Sequence, residues 1–267
     1  MGVRGRTIFK LRHRKLQQLP KNKIYSTNVR HIYFDLDDTL IHSQEKYNTA
    51  KTKCLDILQK ELDLTTEERR EMRMHFNAVD ARRLIEQKKF NIRRFTYSWL
   101  EVYNEYCDKK GVAPKPEIRA LLRQTSGQAW EPPFDLYDGV LDTLKSLKTE
   151  FPISRISILT LGDPTVQEKK IKSLPKEIRN YIDGVYVVND KDPESFKKIL
   201  GDNKPEKCLM VGNSPKSDID PALRIGMKAL HIPQRTWHGD KAHINKNHEN
   251  YHTVACFPEI KECIQEL

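Results

Sequence analysis

Three carboxylates stand within four positions in the stretch HIYFDLDDTL, residues 31–40. Asp35, Asp37 and Asp38 directly follow an apolar run that is rich in β-branched and aromatic side chains, a pattern that predicts a buried strand. Like charges this close together cost free energy unless something neutralises them. The cluster therefore predicts a neutralising partner at the end of this strand.

Strand and helix patterns alternate over the second half of the chain, beyond the proline-containing segment EPPFD at 131–135. The strands predicted there are 154–160, 184–188, 207–211 and 228–232, with a helix between each pair. Such alternation is typical of a parallel sheet with helices on both faces. We expect an α/β fold with a Rossmann-like core, whose first strand, 29–34, carries the acidic cluster.

A long helical segment separates the first strand from these later elements. Apolar residues recur at helical spacing from 46 to 62, Thr65-Thr-Glu-Glu predicts a helix start, and 91–110 carries aromatic side chains on one face. We therefore expect an inserted α-helical cap domain. The predicted domains are a basic N-terminal extension at 1–28, an α/β core at 29–43 and 132–267, and the cap at 44–131.

Polar groups stand at the ends of four predicted strands. The acidic cluster ends the first, Thr160 ends the second, Lys191 follows the third, and Asn213 and Asp218 follow the fourth. Singly, each of these could be a turn, a strand residue or a surface cation. Because the carboxyl ends of parallel strands share one edge of a sheet, the four together indicate a single site.

Taken in order, these groups resemble the four motifs of the haloacid dehalogenase (HAD) superfamily of hydrolases. Asp35-Leu-Asp-Asp-Thr39 resembles the first motif, Thr160 the second, Lys191 the third, and Asn213 with Asp218 the fourth. The resemblance extends from Val29 onwards, and the helical insert lies where the family carries its C1-type caps. It implies a Mg²⁺-dependent phosphatase of a small phosphorylated metabolite, working through an aspartyl-phosphate intermediate.

The resemblance also implies a role for each matching residue. Asp35 would be the nucleophile, and Asp37 would protonate the leaving group and later deprotonate water. The Thr160 hydroxyl, the Leu161 backbone N–H and the Lys191 ammonium would bind the phosphoryl oxygens. A departing halide needs no proton, so a dehalogenase would have no use for Asp37, and phosphate ester hydrolysis is the simpler interpretation.

The implied metal ligands are Asp35, the backbone carbonyl of Asp37 and the side chain of Asp218, a set of oxygens that suits Mg²⁺. Asn213 is a departure, because the fourth motif usually begins with Asp. Its amide oxygen could still bind the metal or position a water, at the cost of one negative charge. Asp38 is interpreted as a turn or helix-capping residue.

Positive charge is concentrated at the N-terminus. Residues 1–34 contain nine Lys and Arg and no acidic residue; removing those nine from the 47 basic residues leaves 38, against 37 acidic residues. The extension is interpreted as a solvated arm, with an organellar transit peptide and an RNA-docking arm as alternatives. The alternative function is accordingly a HAD-fold structural or binding subunit docked through residues 1–28 to RNA or a large assembly.

Other classes of protein are disfavoured by composition. No apolar run approaches the ~18 residues of a membrane span, and the basic N-terminus lacks the apolar segment of a secretory signal. The five cysteines are scattered without CxxC spacing, which is typical of free thiols in a reducing compartment. We expect a cytoplasmic enzyme, with organellar targeting as the alternative, whose particular substrate the sequence leaves open.

Overall fold

A six-stranded parallel sheet forms the centre of the protein in a computed structural model that describes residues 25–87, 91–151, 153, 155–234 and 242–267. The strands are β1 (His31–Phe34), β2 (Arg155–Leu161), β3 (Gly184–Val188), β4 (Cys208–Gly212), β5 (Lys228–His231) and β6 (Tyr251–Thr253). Their order in the sheet is β3-β2-β1-β4-β5-β6, and every neighbouring pair is parallel. The predicted α/β, Rossmann-like fold is thereby confirmed.

Strand β1 lies in the middle of the sheet, between β2 and β4. All four of its residues are buried, as its unbroken apolar pattern predicts for a strand covered on both faces. Phe34 is in register with Ile158 on one side and with Val211 on the other. Because all strands run the same way, the residues that follow β1, β2 and β4 emerge at one edge of the sheet.

Ten α-helices connect or flank these strands within the described ranges. They are α1 (Gln44–Glu61), α2 (Thr66–Gln87), α3 (Ile92–Lys110), α4 (Pro116–Gly127), α5 (Val140–Glu150), α6 (Pro164–Ser173), α7 (Lys176–Tyr181), α8 (Pro193–Leu200), α9 (Asp220–Arg224) and α10 (Ile260–Glu266). Helix α2 begins at the predicted helix start with a capping box, in which the Thr65 N–H donates to Glu68 Oε2 at 2.8 Å and the Glu68 N–H donates to Thr65 Oγ1 at 3.2 Å. Helix α3 ends at Gly111, which has the left-handed conformation that glycine adopts easily.

The chain divides into two compact units. The first contains the sheet and comprises the described residues up to His42, Phe134–Gln167 and Ile171–Leu267. The second is helical and comprises Ser43–Pro133 together with Glu168–Lys170. The predicted division into extension, core and cap stays a prediction, because compactness alone does not make a unit an independent domain.

Each unit has its own apolar core. In the first, Ile32, Phe34 and Val211 are fully buried around the central strand. In the second, the predicted aromatic face of α3 is buried, and the rings of Trp99 and Phe76 stack with centroids 3.8 Å apart. The aromatic face of α3 is therefore part of the apolar core of this unit rather than a ligand site.

Strand β6 was not predicted from the sequence. It has only three residues, all of them partly exposed, so it lacks the apolar pattern of a buried strand. Most of the basic extension, residues 1–24, lies outside the described residues. Within the part of the chain that is described, no helix combines the length and apolarity needed to cross a bilayer.

Candidate active site

Asp35 stands directly after β1 and continues its pairing. Its N–H donates to the Val211 carbonyl at 2.9 Å, which carries the β1–β4 ladder one residue further. The residue is only 6% exposed. Its carboxylate is therefore held at the carboxyl edge of the sheet and largely shielded from water.

Lys191 joins two of the predicted carboxylates. Its ammonium nitrogen lies 2.5 Å from Asp35 Oδ1 and 2.5 Å from Asp218 Oδ1, and all three side chains are buried. The loop that carries it ends at α8, whose first turn is capped by Asp192, which accepts from the Ser195 N–H at 2.7 Å. This cap fixes the backbone next to the lysine.

Asp218 has its place because residue 212 has no side chain. A Cβ on Gly212 would lie 2.2 Å from Asp218 Oδ2, far inside van der Waals contact. The same oxygen accepts from the Ser214 N–H at 2.9 Å. Backbone and glycine together aim the other oxygen, Oδ1, at Lys191.

Burial controls the protonation of this cluster. Desolvation raises the pKa of Asp35 to about 7; the Lys191 ammonium opposes this shift, and the charges of Asp218 and Asp37 add to it. The pKa of Lys191 is raised, because the attraction of Asp218 and Asp35 outweighs the desolvation that acts against it. The lysine therefore stays charged, and the cluster carries excess negative charge once the pH rises above about 7 and Asp35 ionises.

Gln167 connects Thr160, the residue predicted for the second motif, to Asp37. Gln167 was not among the predicted site residues. Thr160 is fully buried near the end of β2. The Gln167 side-chain nitrogen lies 2.7 Å from Thr160 Oγ1, 2.7 Å from Asp37 Oδ2 and 3.1 Å from the Leu161 carbonyl oxygen. The start of a helix directly after β2 places Gln167 near the end of that strand, but the sequence pattern does not single out this glutamine.

Asn213 also lies at the carboxyl edge of the sheet, where both its side chain and its backbone are hydrogen-bonded. Its side-chain oxygen accepts from the Thr39 hydroxyl at 3.2 Å. Its backbone carbonyl accepts from His231 Nε2 at 3.1 Å, and His231 Nδ1 lies 3.1 Å from the Tyr251 hydroxyl oxygen. The amide of Asn213 is thus held by the first motif, while its backbone is held by β5 and β6.

Three residues near the motifs are placed apart from this cluster. Asp38 has φ 56° and its N–H donates to the Ile41 carbonyl at 2.8 Å, which makes it a turn residue, as predicted. Lys197 and Lys198, which follow Lys191 on α8, are exposed, and Lys197 pairs with Glu194. Lys191 is the lysine that reaches Asp35.

The carboxylates of Asp35 and Asp218 converge, since one oxygen of each lies 2.5 Å from the Lys191 ammonium nitrogen. Carboxylate oxygens are the ligands that Mg²⁺ prefers, and this ion takes one or two of them and completes its shell with water and phosphate oxygens. The chemistry of these donors therefore suits Mg²⁺. Among the described residues no group of three or more His, Cys, Asp or Glu is arranged to hold a metal ion.

Family membership follows from comparison with known proteins. The model of the haloacid dehalogenase-like hydrolases matches residues 29–226, well over half of the chain. The chain belongs to this family. It is a hydrolase, and the prediction of a HAD enzyme of the phosphatase type is confirmed.

Two curated relatives of this HAD hydrolase are glyceraldehyde 3-phosphate phosphatases. The protein from Pyrococcus furiosus is 26% identical over 253 residues, which cover 89% of this chain and 93% of the relative. The one from Methanothermobacter thermautotrophicus is 24% identical over 242 residues, which cover 87% of this chain and 98% of the relative. Both alignments span nearly the whole of each protein.

A solved structure has the same fold. The haloacid dehalogenase-like family hydrolase from Xanthomonas campestris superposes with a TM-score of 0.73 and 20% identity, over 90% of this chain and 96% of that one. At this identity the similarity bears on the fold and not on the substrate.

Proposed function

We propose that this HAD hydrolase is a Mg²⁺-dependent phosphatase of small phosphorylated metabolites that works through an aspartyl-phosphate on Asp35. The observation that carries the proposal is the buried triad in which Lys191 holds Asp35 and Asp218 at 2.5 Å each. Two buried carboxylates against one ammonium favour further positive charge beside them, such as that of Mg²⁺. A purely structural ion pair would not need the second carboxylate.

Asp35 suits the role of nucleophile in this proposal. One carboxylate oxygen attacks phosphorus as the bond from phosphorus to the leaving oxygen breaks, which forms the acyl phosphate. With its pKa raised to about 7, Asp35 reacts as the anion only where positive charge stands beside it. Lys191 supplies one such charge.

Asp37 suits the role of proton donor and acceptor. Its carboxyl proton goes to the leaving oxygen in the first step, and the resulting carboxylate then takes a proton from the water that attacks the acyl phosphate. The Thr160 hydroxyl and the Leu161 N–H are suited to donate to the phosphoryl oxygens during both steps.

Asp35, Asp218, the Asp37 carbonyl and Asn213 are the residues proposed to hold Mg²⁺, which hydrolases of this superfamily generally use. Bound there, the ion would offset the negative charge of the phosphoryl group and of the two carboxylates. The amide of Asn213 contributes no charge, so we expect weaker metal binding than an aspartate would provide.

The substrate class rests on the relatives. Both named relatives are phosphatases of glyceraldehyde 3-phosphate, a three-carbon phosphate ester, and the alignments cover most of each chain. We therefore propose a small phosphorylated aldehyde, alcohol or acid as the substrate, with glyceraldehyde 3-phosphate as the first compound to assay.

The test is phosphate release from p-nitrophenyl phosphate and from a panel of three- to six-carbon phosphate esters, with Mg²⁺ and with EDTA. We expect Mg²⁺-dependent release that falls by at least about 10³-fold in Asp35→Asn. Asp202→Asn, the same change at an exposed aspartate, is the matched control and should keep wild-type activity. Acid-quenched wild-type enzyme should carry hydroxylamine-labile phosphate that Asp35→Asn lacks.

Release that is independent of both Mg²⁺ and Asp35, or no release across the whole panel, would contradict the proposal.

A further inference from the structure

Gln167 is a buried polar residue in the first turn of α6. Helix α6 begins after Asp163, whose side chain accepts from the Thr165 N–H at 2.9 Å, and the Gln167 N–H donates to the Asp163 carbonyl at 3.0 Å. The side chain is 1% exposed. Its position is therefore set by a capped helix start immediately after β2.

The amide nitrogen of Gln167 lies among three oxygens. It is 2.7 Å from Asp37 Oδ2, 2.7 Å from Thr160 Oγ1 and 3.1 Å from the Leu161 carbonyl oxygen. Carboxylate and carbonyl oxygens only accept hydrogen bonds, so the NH₂ group and not the amide oxygen must face them. One side chain thus connects the first and second motifs.

Within the described part of the chain, the other half of the amide lacks a hydrogen-bond donor, which sets a cost in stability against the bonds of the NH₂ group. Gln167 Oε1 is buried, and none of the described residues donates to it. An unpaired buried carbonyl is unfavourable, and an apolar side chain of equal length would avoid that cost. Such an exception points to a functional role for the NH₂ group.

We propose that Gln167 is a positioning residue for phosphoryl transfer, which orients the Asp37 carboxyl group towards the leaving oxygen. The inference rests on the proposed phosphatase function. It adds to that function a residue outside the four motifs.

Each contact has a chemical consequence. An N–H bond to Asp37 Oδ2 restricts rotation of the carboxyl group, so that its other oxygen, Oδ1, is the one presented to the leaving group. Thr160 Oγ1 accepts from the same amide, which leaves the hydroxyl hydrogen of Thr160 available to a phosphoryl oxygen. Gln167 touches neither phosphorus nor the leaving oxygen in this scheme.

Two substrates that differ in the basicity of the leaving group distinguish a positioning role from a merely structural one. Phenolate is a much more basic leaving group than p-nitrophenolate, so phenyl phosphate depends on the acid and p-nitrophenyl phosphate scarcely does. Gln167→Met keeps the length of the side chain and removes the NH₂ group. We expect kcat/KM to fall by about 100-fold on phenyl phosphate and by less than about 5-fold on p-nitrophenyl phosphate.

Gln167→Glu is the second variant, because it keeps the shape but replaces the donor with a carboxylate beside Asp37. It should show the same selective loss as Gln167→Met, and at least as large. In an Asp37→Asn background, Gln167→Met should cost less than about 3-fold further on either substrate, because the group it positions is gone. Gln167→Met removes the unpaired carbonyl together with the NH₂ group that faces three buried oxygens, so its urea midpoint is measured and the kinetic assays are run at a urea-free condition where the variant is folded.

Equal losses on both substrates, or a lower urea midpoint with unchanged kcat/KM, would overturn the positioning role while leaving the phosphatase proposal intact. Failure of the wild-type protein to hydrolyse either ester would instead contradict the proposed function itself.

Discussion

Two buried ion clusters, one in each compact unit, differ in how their charges are balanced. In the sheet unit, Lys191 faces two carboxylates, those of Asp35 and Asp218. In the helical unit, Arg94 faces one, that of Asp80. The first cluster therefore has one carboxylate more than it has cations, while in the second the two numbers are equal.

The second cluster is also complete in its hydrogen bonds. Asp80 Oδ1 accepts from the Ser98 hydroxyl at 2.9 Å, and Oδ2 accepts from the Tyr47 hydroxyl at 2.9 Å and pairs with Arg94. The Arg94 guanidinium also donates to the Asp80 carbonyl at 3.1 Å. A saturated, neutral cluster of this kind specifies packing. The second carboxylate beside Lys191 instead fits the proposed binding of a further cation at Asp35 and Asp218.

The largest expected effect comes from removing the cation of the charged cluster. Lys191→Met leaves two buried carboxylates without a counter-charge, so we expect activity to fall by at least about 10²-fold and the free energy of unfolding by about 3–5 kcal/mol at pH 8. Phosphate-release assays and urea unfolding measure the two effects. Lys198→Met, at an exposed lysine on α8, should change neither. If Lys191→Met kept activity within tenfold of wild type, the cluster at Asp35 and Asp218 would not be the functional one of the two.

Removing the cation of the neutral cluster should separate stability from chemistry. Arg94→Met leaves Asp80 buried without its partner, and we expect a similar loss of about 3–5 kcal/mol in the free energy of unfolding. The kcat of the folded protein on p-nitrophenyl phosphate should stay within about threefold. Arg70→Met, at an exposed arginine, should cost less than about 1 kcal/mol. A loss of kcat as large as that of Lys191→Met would show that the two clusters are not functionally distinct.

The free energy of unfolding should depend on pH because the pKa of Asp35 differs between the folded and the unfolded state. Because its folded-state pKa is raised to about 7, the neutral form is favoured by folding. The resulting stabilisation is fully present below the unfolded-state pKa of about 3.9 and is lost as the pH rises through about 7. Without added Mg²⁺, the free energy of unfolding of wild type relative to Asp35→Asn should therefore fall between pH 4 and pH 7 and level off above.

Urea titrations at several pH values measure this difference. A difference that does not change with pH would mean that burial of the nucleophile is incomplete.

The smallest effects concern helix caps. Asp192→Ala and Thr65→Ala each remove a side chain that caps a helix start, α8 in one unit and α2 in the other. Each should lower the free energy of unfolding by about 1 kcal/mol, measured by urea unfolding. Only Asp192→Ala should also lower kcat/KM, because residue 192 adjoins Lys191. Equal kcat/KM for the two variants would show that the cap does not help to hold the lysine.

The arrangement of the strands was predictable from the sequence because each strand is short, apolar and bounded by polar residues. The position of Asp35 followed from that pattern, as did that of Thr160, since both lie at or just beyond strand ends. Periodicity and the parallel-sheet rule suffice for such residues.

Contacts between distant segments were not predictable in the same way. Lys191 was expected to bind a phosphoryl group, yet its pairing with both Asp35 and Asp218 depends on how two loops fold over the sheet edge. Gln167 meets Asp37 across 130 positions of sequence, and one glutamine in a polar helix has no periodic signal of its own. Strand β6 escaped prediction because three half-exposed residues show too little alternation.

Gly212 bears on how relatives of this protein should be interpreted. Its missing side chain is the space that the Asp218 carboxylate occupies, since a Cβ there would lie 2.2 Å from Oδ2. A homologue could keep every acidic residue and the lysine of the four motifs, and still have lost the site by exchanging this glycine for alanine. A motif scan that counts only charged residues would classify such a protein as active, so the test of an intact site must include a position that contributes no functional group.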